Sequence, residues 1–153
     1  MHDPYEQVIT ILLVEDDAGD QELTRRALAS GGLSVDLRIV GDGEEALEYL
    51  HRVGRYFDAI DSPRPDLILL DLNMPRMNGR EFLDEIRQSP ELEGIPVVVL
   101  TTSRQEVDIL ESYNLGCNSY IQKPIDVDQF IDAVQQLGKY WFDVVSLPVD
   151  QES

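Results

Sequence analysis

The chain has 153 residues, of which 42% are hydrophobic, and its 12 basic and 30 acidic residues give a formal net charge of −18. This length and this apolar content predict one globular domain with a substantial core, and they exclude a disordered chain. The negative charge disfavours binding to nucleic acid and to anionic membranes, whereas it favours cations and basic partners.

The cysteine content and the hydropathy pattern indicate the expected compartment. Cys117 is the single cysteine, which excludes an internal disulfide and suits a reducing environment. Residues 1–7 are polar and acidic and carry no signal-peptide pattern. No apolar run approaches the ~20 residues that a membrane span requires. We therefore expect a cytoplasmic protein.

Strand and helix signals alternate five times along the chain. Short apolar runs predict strands over 8–14, 67–70, 96–100 and 119–121, and an alternating pattern predicts a strand over 34–39. The predicted helices follow in turn, from Asp17 to Gly31, from Asp42 to Gly54, from Asn78 to Pro90, from Ser103, and from Asp126 to Val145. The second predicted helix carries the apolar residues Ala46, Leu47, Leu50 and Val53, and the third has Phe82, Leu83 and Ile86 on its inner face.

The alternation of strands and helices implies a parallel sheet that is covered on both faces. In the second strand, Val35, Leu37 and Ile39 alternate with polar residues, and this period of two indicates a half-exposed strand at an edge. The strand order 2-1-3-4-5 meets this requirement, so we predict an α/β, flavodoxin-like (βα)5 fold with a doubly wound sheet. Its switch point lies between the first and third strands, where open α/β sheets bind ligands.

Chemically reactive residues follow four of the predicted strands. Glu15 and Asp16 come after the first strand, Asp71 after the third, Thr101 after the fourth and Lys123 after the fifth. Because the carboxyl ends of parallel strands meet at one edge, we expect these side chains to converge. Clustered carboxylates attract a divalent cation, and a cation with a lysine and a hydroxyl can hold a phosphoryl group.

Each of these residues also has an ordinary structural interpretation. Acids after a strand can cap the next helix, a threonine suits a strand end, and a lysine suits the surface. Asp71 is unusual because a turn containing Pro75 and Gly79 follows it, and aspartate is a known type of phosphoryl acceptor. Lys123 is one of two lysines in the chain, and a cis bond to Pro124 would aim its side chain inward.

The ordered set of motifs resembles the receiver domains of two-component response regulators. The matching segments are 11–16 (ILLVED), 69–75 (LLDLNMP) with Gly79, 97–102 (VVVLTT) and 120–124 (YIQKP), and the resemblance extends over about 8–140. It implies a single receiver domain over 1–153, with an extended final helix and tail over about 126–150.

The resemblance also implies a role for each site residue. Asp71 would be the phosphoacceptor, Thr101 would bind a phosphoryl oxygen, Lys123 would pair with the phosphate, and Tyr120 would change rotamer when Thr101 moves. Mg²⁺ would be held by the carboxylates of Glu15, Asp16 and Asp71 and by the backbone carbonyl of Asn73. The acid pair is Glu-Asp where many receivers have Asp-Asp, which predicts an altered metal geometry.

Within the family, the chain is most similar to the single-domain regulators that pair with bacterial phytochromes. The segments that carry this similarity are 61–66, 79–81, 95–103 and 141–148. It implies a histidine kinase of the bacteriophytochrome type as the partner. Too few residues follow the last predicted helix for an output domain. Output would therefore pass through the face formed by the fourth predicted helix, the fifth strand and the last predicted helix.

Three other functions compete with this interpretation. A Mg²⁺-dependent phosphohydrolase with an aspartyl-phosphate intermediate would share the site, but such enzymes commonly carry an acid where this chain has Asn73. A receiver that binds partners without being phosphorylated would not need the complete set of site residues. A flavodoxin-like nucleotide binder would need a Gly-rich phosphate loop after the first strand, and residues 16–20 are acidic instead.

The end of the chain predicts a two-fold homodimer. Apolar residues recur at heptad-like spacing in the last predicted helix, and they are Phe130, Val134, Leu137, Trp141 and Val144. One apolar stripe can cover the domain's own sheet, and a second would remain exposed on a highly charged chain. We predict an interface on the proposed output face, with residues 140–148 reaching across it. The alternative is that the tail folds back on its own domain.

Overall fold

The computed structural model describes residues 8–30, 34–72, 79–101, 119–125 and 127–135. Within these ranges the strands are β1 (Ile9–Val14), β2 (Val35–Val40), β3 (Leu67–Asp71), β4 (Val97–Thr101) and β5 (Ser119–Gln122). The helices are α1 (Ala18–Ala29), α2 (Gly43–His51), α3 (Gly79–Arg87) and α4 (Val127–Gln135), and a short 3-10 turn spans Gly54–Tyr56.

The five strands form a parallel sheet in the order β2-β1-β3-β4-β5. This confirms the predicted fold class and strand order. Strands β3 and β4 are buried along their whole length, as continuous apolar runs require. Strand β2, whose apolar and polar residues alternate, lies at an edge, and Val40 is its one buried residue.

Alternate residues of each strand supply two separate cores, one on each face of the sheet. In β3, Leu67 and Leu69 pack with Leu28 of α1 and Phe130 of α4. On the opposite face, residues Ile68 and Leu70 pack with side chains of α2 and α3. Complete burial of a leucine or phenylalanine side chain contributes roughly 1.5–3 kcal/mol, so the helices are held chiefly by these contacts.

Aspartates cap the N-termini of the first two helices and so fix the residue at which each preceding loop ends. The side chain of Asp17 accepts a hydrogen bond from the backbone N–H of Asp20 at 2.8 Å, and Asp42 caps α2 in the same way through Glu45 at 2.8 Å. The cap at Asp17 leaves two residues, Glu15 and Asp16, between the end of β1 and the cap of α1. These two acids therefore lie at the carboxyl edge of the sheet.

The second helix ends earlier than the sequence pattern predicted. It stops at His51, and Arg52 adopts a left-handed conformation with φ of 55°. Val53 therefore lies outside the helix and is half-exposed, whereas Tyr49 takes the buried position on the inner face. The prediction for α3 is confirmed, because its inner face buries Phe82, Leu83 and Ile86.

One residue predicted for the dimer interface lies elsewhere. Phe130 is fully buried in the core of its own chain, against β4, β5 and α1, so the prediction that it contributes to the interface is corrected. Phe130 serves instead the packing of α4 on the sheet. Val134 lies within α4 but its side chain is outside the described set, as are Trp141 and Val144. The predicted helix from Ser103 and the cap Asn78 also fall outside the described residues.

In the part of the chain that the structure describes, none of the helices has the length and apolar character needed to cross a membrane.

Candidate functional site

Two adjacent strands bring the predicted acids together at the carboxyl edge of the sheet. Strands β1 and β3 are hydrogen-bonded neighbours, with Val14 opposite Leu70, so the residues that follow them are close. Carboxylate oxygens of Glu15, Asp16 and Asp71 lie within 4.8 Å of one another. Glu15 and Asp71 are buried and Asp16 is exposed, so the cluster opens to solvent on one side.

Glu15 is the most deeply buried member of the cluster. Its backbone N–H donates to the carbonyl of Val40 at 3.0 Å, and its Oε2 accepts from the backbone N–H of Asp17 at 3.2 Å. Its Oε1 is buried and lies 2.6 Å from the ammonium of Lys123. Burial raises the pKa of Glu15 from 4.5 to about 7, although a contact with Lys123 opposes the shift.

Lys123 places its ammonium among three carboxylates. Its Nζ lies 2.6 Å from Oε1 of Glu15, 3.1 Å from Oδ2 of Asp20 and 3.4 Å from Oδ2 of Asp71. The contact with Glu15 is a short ion pair, and the contact with Asp20 is also a hydrogen bond. Burial alone would lower the pKa of Lys123, but Glu15, Asp20 and Asp71 together raise it. The ammonium is therefore charged at neutral pH. The Lys123–Pro124 peptide bond is cis.

Thr101 and Tyr120 lie on the two strands that complete this edge. Thr101 ends β4 and is almost fully buried, and its carbonyl accepts a hydrogen bond from the backbone N–H of Lys123 at 2.8 Å. Tyr120 lies on β5 opposite Val99 and packs, half-buried, against the core on the α2 and α3 side. The predicted metal-ligating carbonyl of Asn73 lies outside the described residues.

The carboxylate cluster has the properties of a divalent cation site. Three carboxylates converge, and the buried Oε1 of Glu15 lies 2.6 Å from the ammonium of Lys123. Carboxylates that crowd together repel one another unless a positive charge joins them, and hard cations such as Mg²⁺ prefer oxygen ligands. The single ammonium of Lys123 does not balance this negative charge. The residues present therefore fit a divalent metal ion.

Asp20 is a member of the site that sequence analysis missed. It lies in the first turn of α1 and reaches Lys123, which is 103 residues away in sequence. The available signal was its position in the first turn of the helix that directly follows the acid pair. An acid in the first turn of a helix is also favoured by the helix dipole, so its position did not by itself predict a contact with Lys123.

Comparison with known proteins places this geometry in a family. The family model for the response regulator receiver domain matches residues 11–135. Response regulator Rcp1 of Synechocystis sp. is 44% identical over 138 residues, which cover 90% of this chain and 92% of the relative. The bacteriophytochrome response regulator RtBRR has a structure that matches with a TM-score of 0.80 at 46% identity, covering 88% of this chain and 81% of that one.

Two further solved structures bear on the chemistry of the site. The phosphorylated cyanobacterial phytochrome response regulator RcpA matches with a TM-score of 0.71 at 44% identity, covering 93% of this chain and 99% of that one. The Mn²⁺-bound form of response regulator Rcp1 matches with a TM-score of 0.68 at 44% identity, covering 92% of this chain and 99% of that one. Receiver domains thus bind a divalent metal ion.

A doubly wound sheet that gathers acids, a threonine and a lysine at its carboxyl edge is the architecture of a signalling receiver. The chain belongs to the response regulator receiver domain family. Within that family it is similar to the phytochrome response regulators, and its role is in a two-component phosphorelay. The phosphohydrolase alternative is not favoured.

Proposed function

We propose that the chain accepts a phosphoryl group from a histidine kinase onto Asp71, with Mg²⁺ as the cofactor. The observation that carries this proposal is the position of Asp71. Asp71 is the last residue of β3. Its carboxylate lies within 4.8 Å of the carboxylates of Glu15 and Asp16, and the Lys123 ammonium lies 3.4 Å from its Oδ2. A nucleophile, a cation site and a fixed positive charge therefore share one small volume.

In this mechanism, Glu15, Asp16 and Asp71 would hold Mg²⁺, with the carbonyl of Asn73 as the further ligand that the family implies. The bound ion supplies neutralisation of the charge on the transferring phosphoryl group. A carboxylate oxygen of Asp71 forms a bond to phosphorus as the bond from phosphorus to the kinase histidine nitrogen breaks. The imidazole leaves with that electron pair. Lys123 donates to a phosphoryl oxygen, and Thr101 binds another.

The phosphorylated state ends when water cleaves the acyl phosphate and returns the carboxylate of Asp71 and inorganic phosphate. The chain would thus assist its own phosphorylation and dephosphorylation without turning over a free substrate, so we propose that it is not an enzyme in the usual sense. Asn73 occupies the position where aspartyl-phosphate hydrolases commonly carry a general acid. This substitution also supports a signalling role over a hydrolytic one.

We propose a phytochrome-type histidine kinase as the partner, because the relatives include bacteriophytochrome and cyanobacterial phytochrome response regulators. The test is transfer of label from autophosphorylated kinases in Mg²⁺. We expect transfer within seconds from a phytochrome kinase and much slower transfer from a histidine kinase of another sensory class. Equal rates from both kinases would contradict the proposed pairing, and no transfer from either would contradict the phosphorelay role.

Thr101 is expected to couple phosphorylation to the output face. The Thr101→Ala variant should still take label from phosphoramidate, because Asp71, the acid pair and Lys123 are unchanged. It should respond weakly, because the hydroxyl that would follow the phosphoryl oxygen is missing and Tyr120 would not turn. Hydrogen exchange of residues 119–125 before and after phosphorylation measures the response. An exchange difference equal to that of the parent chain would contradict the coupling.

We also propose that the chain is cytoplasmic and does not bind nucleic acid. We propose further that it forms a homodimer through the face of the predicted helix from Ser103, β5 and α4, with residues 140–148 reaching across. The support is the apolar content of residues 140–148 on a chain with a net charge of −18. Sedimentation of the full chain and of a form ending at Gly138 tests it. We expect a dimer for the full chain and a monomer for the shorter form. A monomeric full chain at high micromolar concentration, phosphorylated or not, would refute the dimer.

A further inference from the structure

Lys123 is held at both ends by neighbouring elements. Its backbone N–H donates to the carbonyl of Thr101 at 2.8 Å, and its ammonium donates to Oδ2 of Asp20 at 3.1 Å. The first contact anchors the main chain to the end of β4, and the second anchors the charge to the first turn of α1. Only 11% of the lysine side chain is exposed, so the ammonium depends on these protein groups in place of water.

The three carboxylates around the ammonium are not equivalent. Glu15 and Asp71 belong to the cluster that fits a divalent cation, whereas Asp20 is not a member of that group. A divalent cation bound by Glu15 and Asp71 would largely neutralise their charge and would place a double positive charge near the ammonium. Among the described residues, Asp20 is the contacting acid whose charge would stay available to Lys123.

We propose that Asp20 is a positioning residue that keeps the Lys123 ammonium beside Asp71 when a divalent cation occupies the carboxylate cluster. An ammonium has three N–H donors, so one can stay on Asp20 while another reaches a phosphoryl oxygen on Asp71. Asp20 thereby opposes the repulsion between cation and lysine. This inference rests on the proposed function, because it assigns a role within the same phosphoacceptor site.

The chain allows a direct measurement of this contact. It has two lysines, Lys123 and Lys139, so selective ¹⁵N labelling of lysine Nζ yields two ammonium signals, with Lys139 as the internal reference. Hydrogen bonding slows the exchange of ammonium hydrogens with water. In saturating Mg²⁺, Asp20→Asn should speed exchange at Lys123 by about five- to tenfold, as expected for loss of one partly exposed charged hydrogen bond.

A kinetic comparison gives a second, independent readout. Asp20→Asn should slow labelling by phosphoramidate in saturating Mg²⁺ by a similar factor, and it should have no added effect in a Lys123→Ala background. Asp20→Glu should recover part of the rate. Glu22→Gln is the matched control, because it removes the same charge from the same helix at a residue that pairs with Arg25 and Arg26. It should change neither exchange nor rate.

The outcomes separate this inference from the function on which it rests. Parent-like exchange at Lys123 in the Asp20→Asn variant with Mg²⁺ would overturn the positioning role, whatever the kinetics. If Asp20→Asn slowed labelling equally in the parent and in the Lys123→Ala background, the positioning role would also be overturned. Asp20 would then affect labelling without acting through Lys123. Failure of the parent chain to take label would contradict the proposed function, while the exchange rates would still decide the contact.

Discussion

Replacement of Asp71 by asparagine should abolish phosphorylation by a histidine kinase and by phosphoramidate. Asparagine keeps the shape of the side chain but lacks the carboxylate oxygen that forms the bond to phosphorus. Asp71 ends β3 and 6% of it is exposed, so the isosteric change should preserve the packing of Leu70 and Leu72 on either side. Intact-mass measurement of the phosphorylated fraction, after incubation in Mg²⁺, is the appropriate test.

Two controls make this result interpretable. A thermal unfolding curve close to that of the parent would show that the variant folds. Asp16→Asn should label slowly but detectably, because it weakens the cation site and keeps the acceptor. If Asp71→Asn took label as the parent does, with the phosphate mapped to another residue, the assignment of the acceptor would be wrong.

The second large effect should follow from removing the acid pair. The double variant Glu15→Gln, Asp16→Asn should lose Mg²⁺ binding and phosphorylation together, because it deletes two of the three clustered carboxylates. Isothermal titration with Mg²⁺ would measure the first loss and phosphoramidate labelling the second. Asp17→Asn changes an adjacent acid outside the cluster and is the matched control. Parent-like Mg²⁺ binding by the double variant would exclude this metal site.

Without divalent cation, the single variant Glu15→Gln should be more stable than the parent at alkaline pH. Burial raises the pKa of Glu15 to about 7 from 4.5, so the folded parent keeps a proton that the unfolded chain loses between these values. The parent therefore loses stability as pH rises from about 4.5 to about 7, by up to about 3 kcal/mol. Glutamine has no proton to lose.

Urea unfolding in EDTA at pH 5 and at pH 8 would measure this difference. We expect the two proteins to be nearly equal at pH 5 and the variant to be the more stable at pH 8. If the difference in the free energy of unfolding between variant and parent were the same at pH 5 and pH 8, the prediction would be wrong. Lys123, 2.6 Å from Oε1 of Glu15, would then fully offset the cost of burying the charged carboxylate.

Much of the fold follows from local patterns in the sequence. Continuous apolar runs predicted the buried strands β3 and β4, and strict alternation in β2 predicted an edge strand. These patterns succeed because burial on two faces and burial on one face leave different periodicities. The alternation of strands with helices then restricts the topology to a parallel sheet, so the residues after the strand ends share one edge.

The sequence by itself also indicated Glu15, Asp16, Asp71, Thr101 and Lys123 as a set, since each follows a predicted strand. What it could not determine was how these side chains contact one another. The hydrogen bond from Lys123 to Asp20 depends on the rotation of α1 about its axis and on where the chain turns after β5. Neither is encoded within a short window of residues.

Tertiary packing likewise decided which apolar residues face the core. The heptad-like spacing in the last predicted helix suggested an interface at Phe130, but the sheet was near enough to bury that ring completely. In the second helix, Tyr49 is buried on the inner face, whereas Val53 follows the left-handed turn at Arg52 and is half-exposed. Periodicity identifies an apolar stripe, whereas the neighbour that covers the stripe is set by the three-dimensional arrangement of the elements.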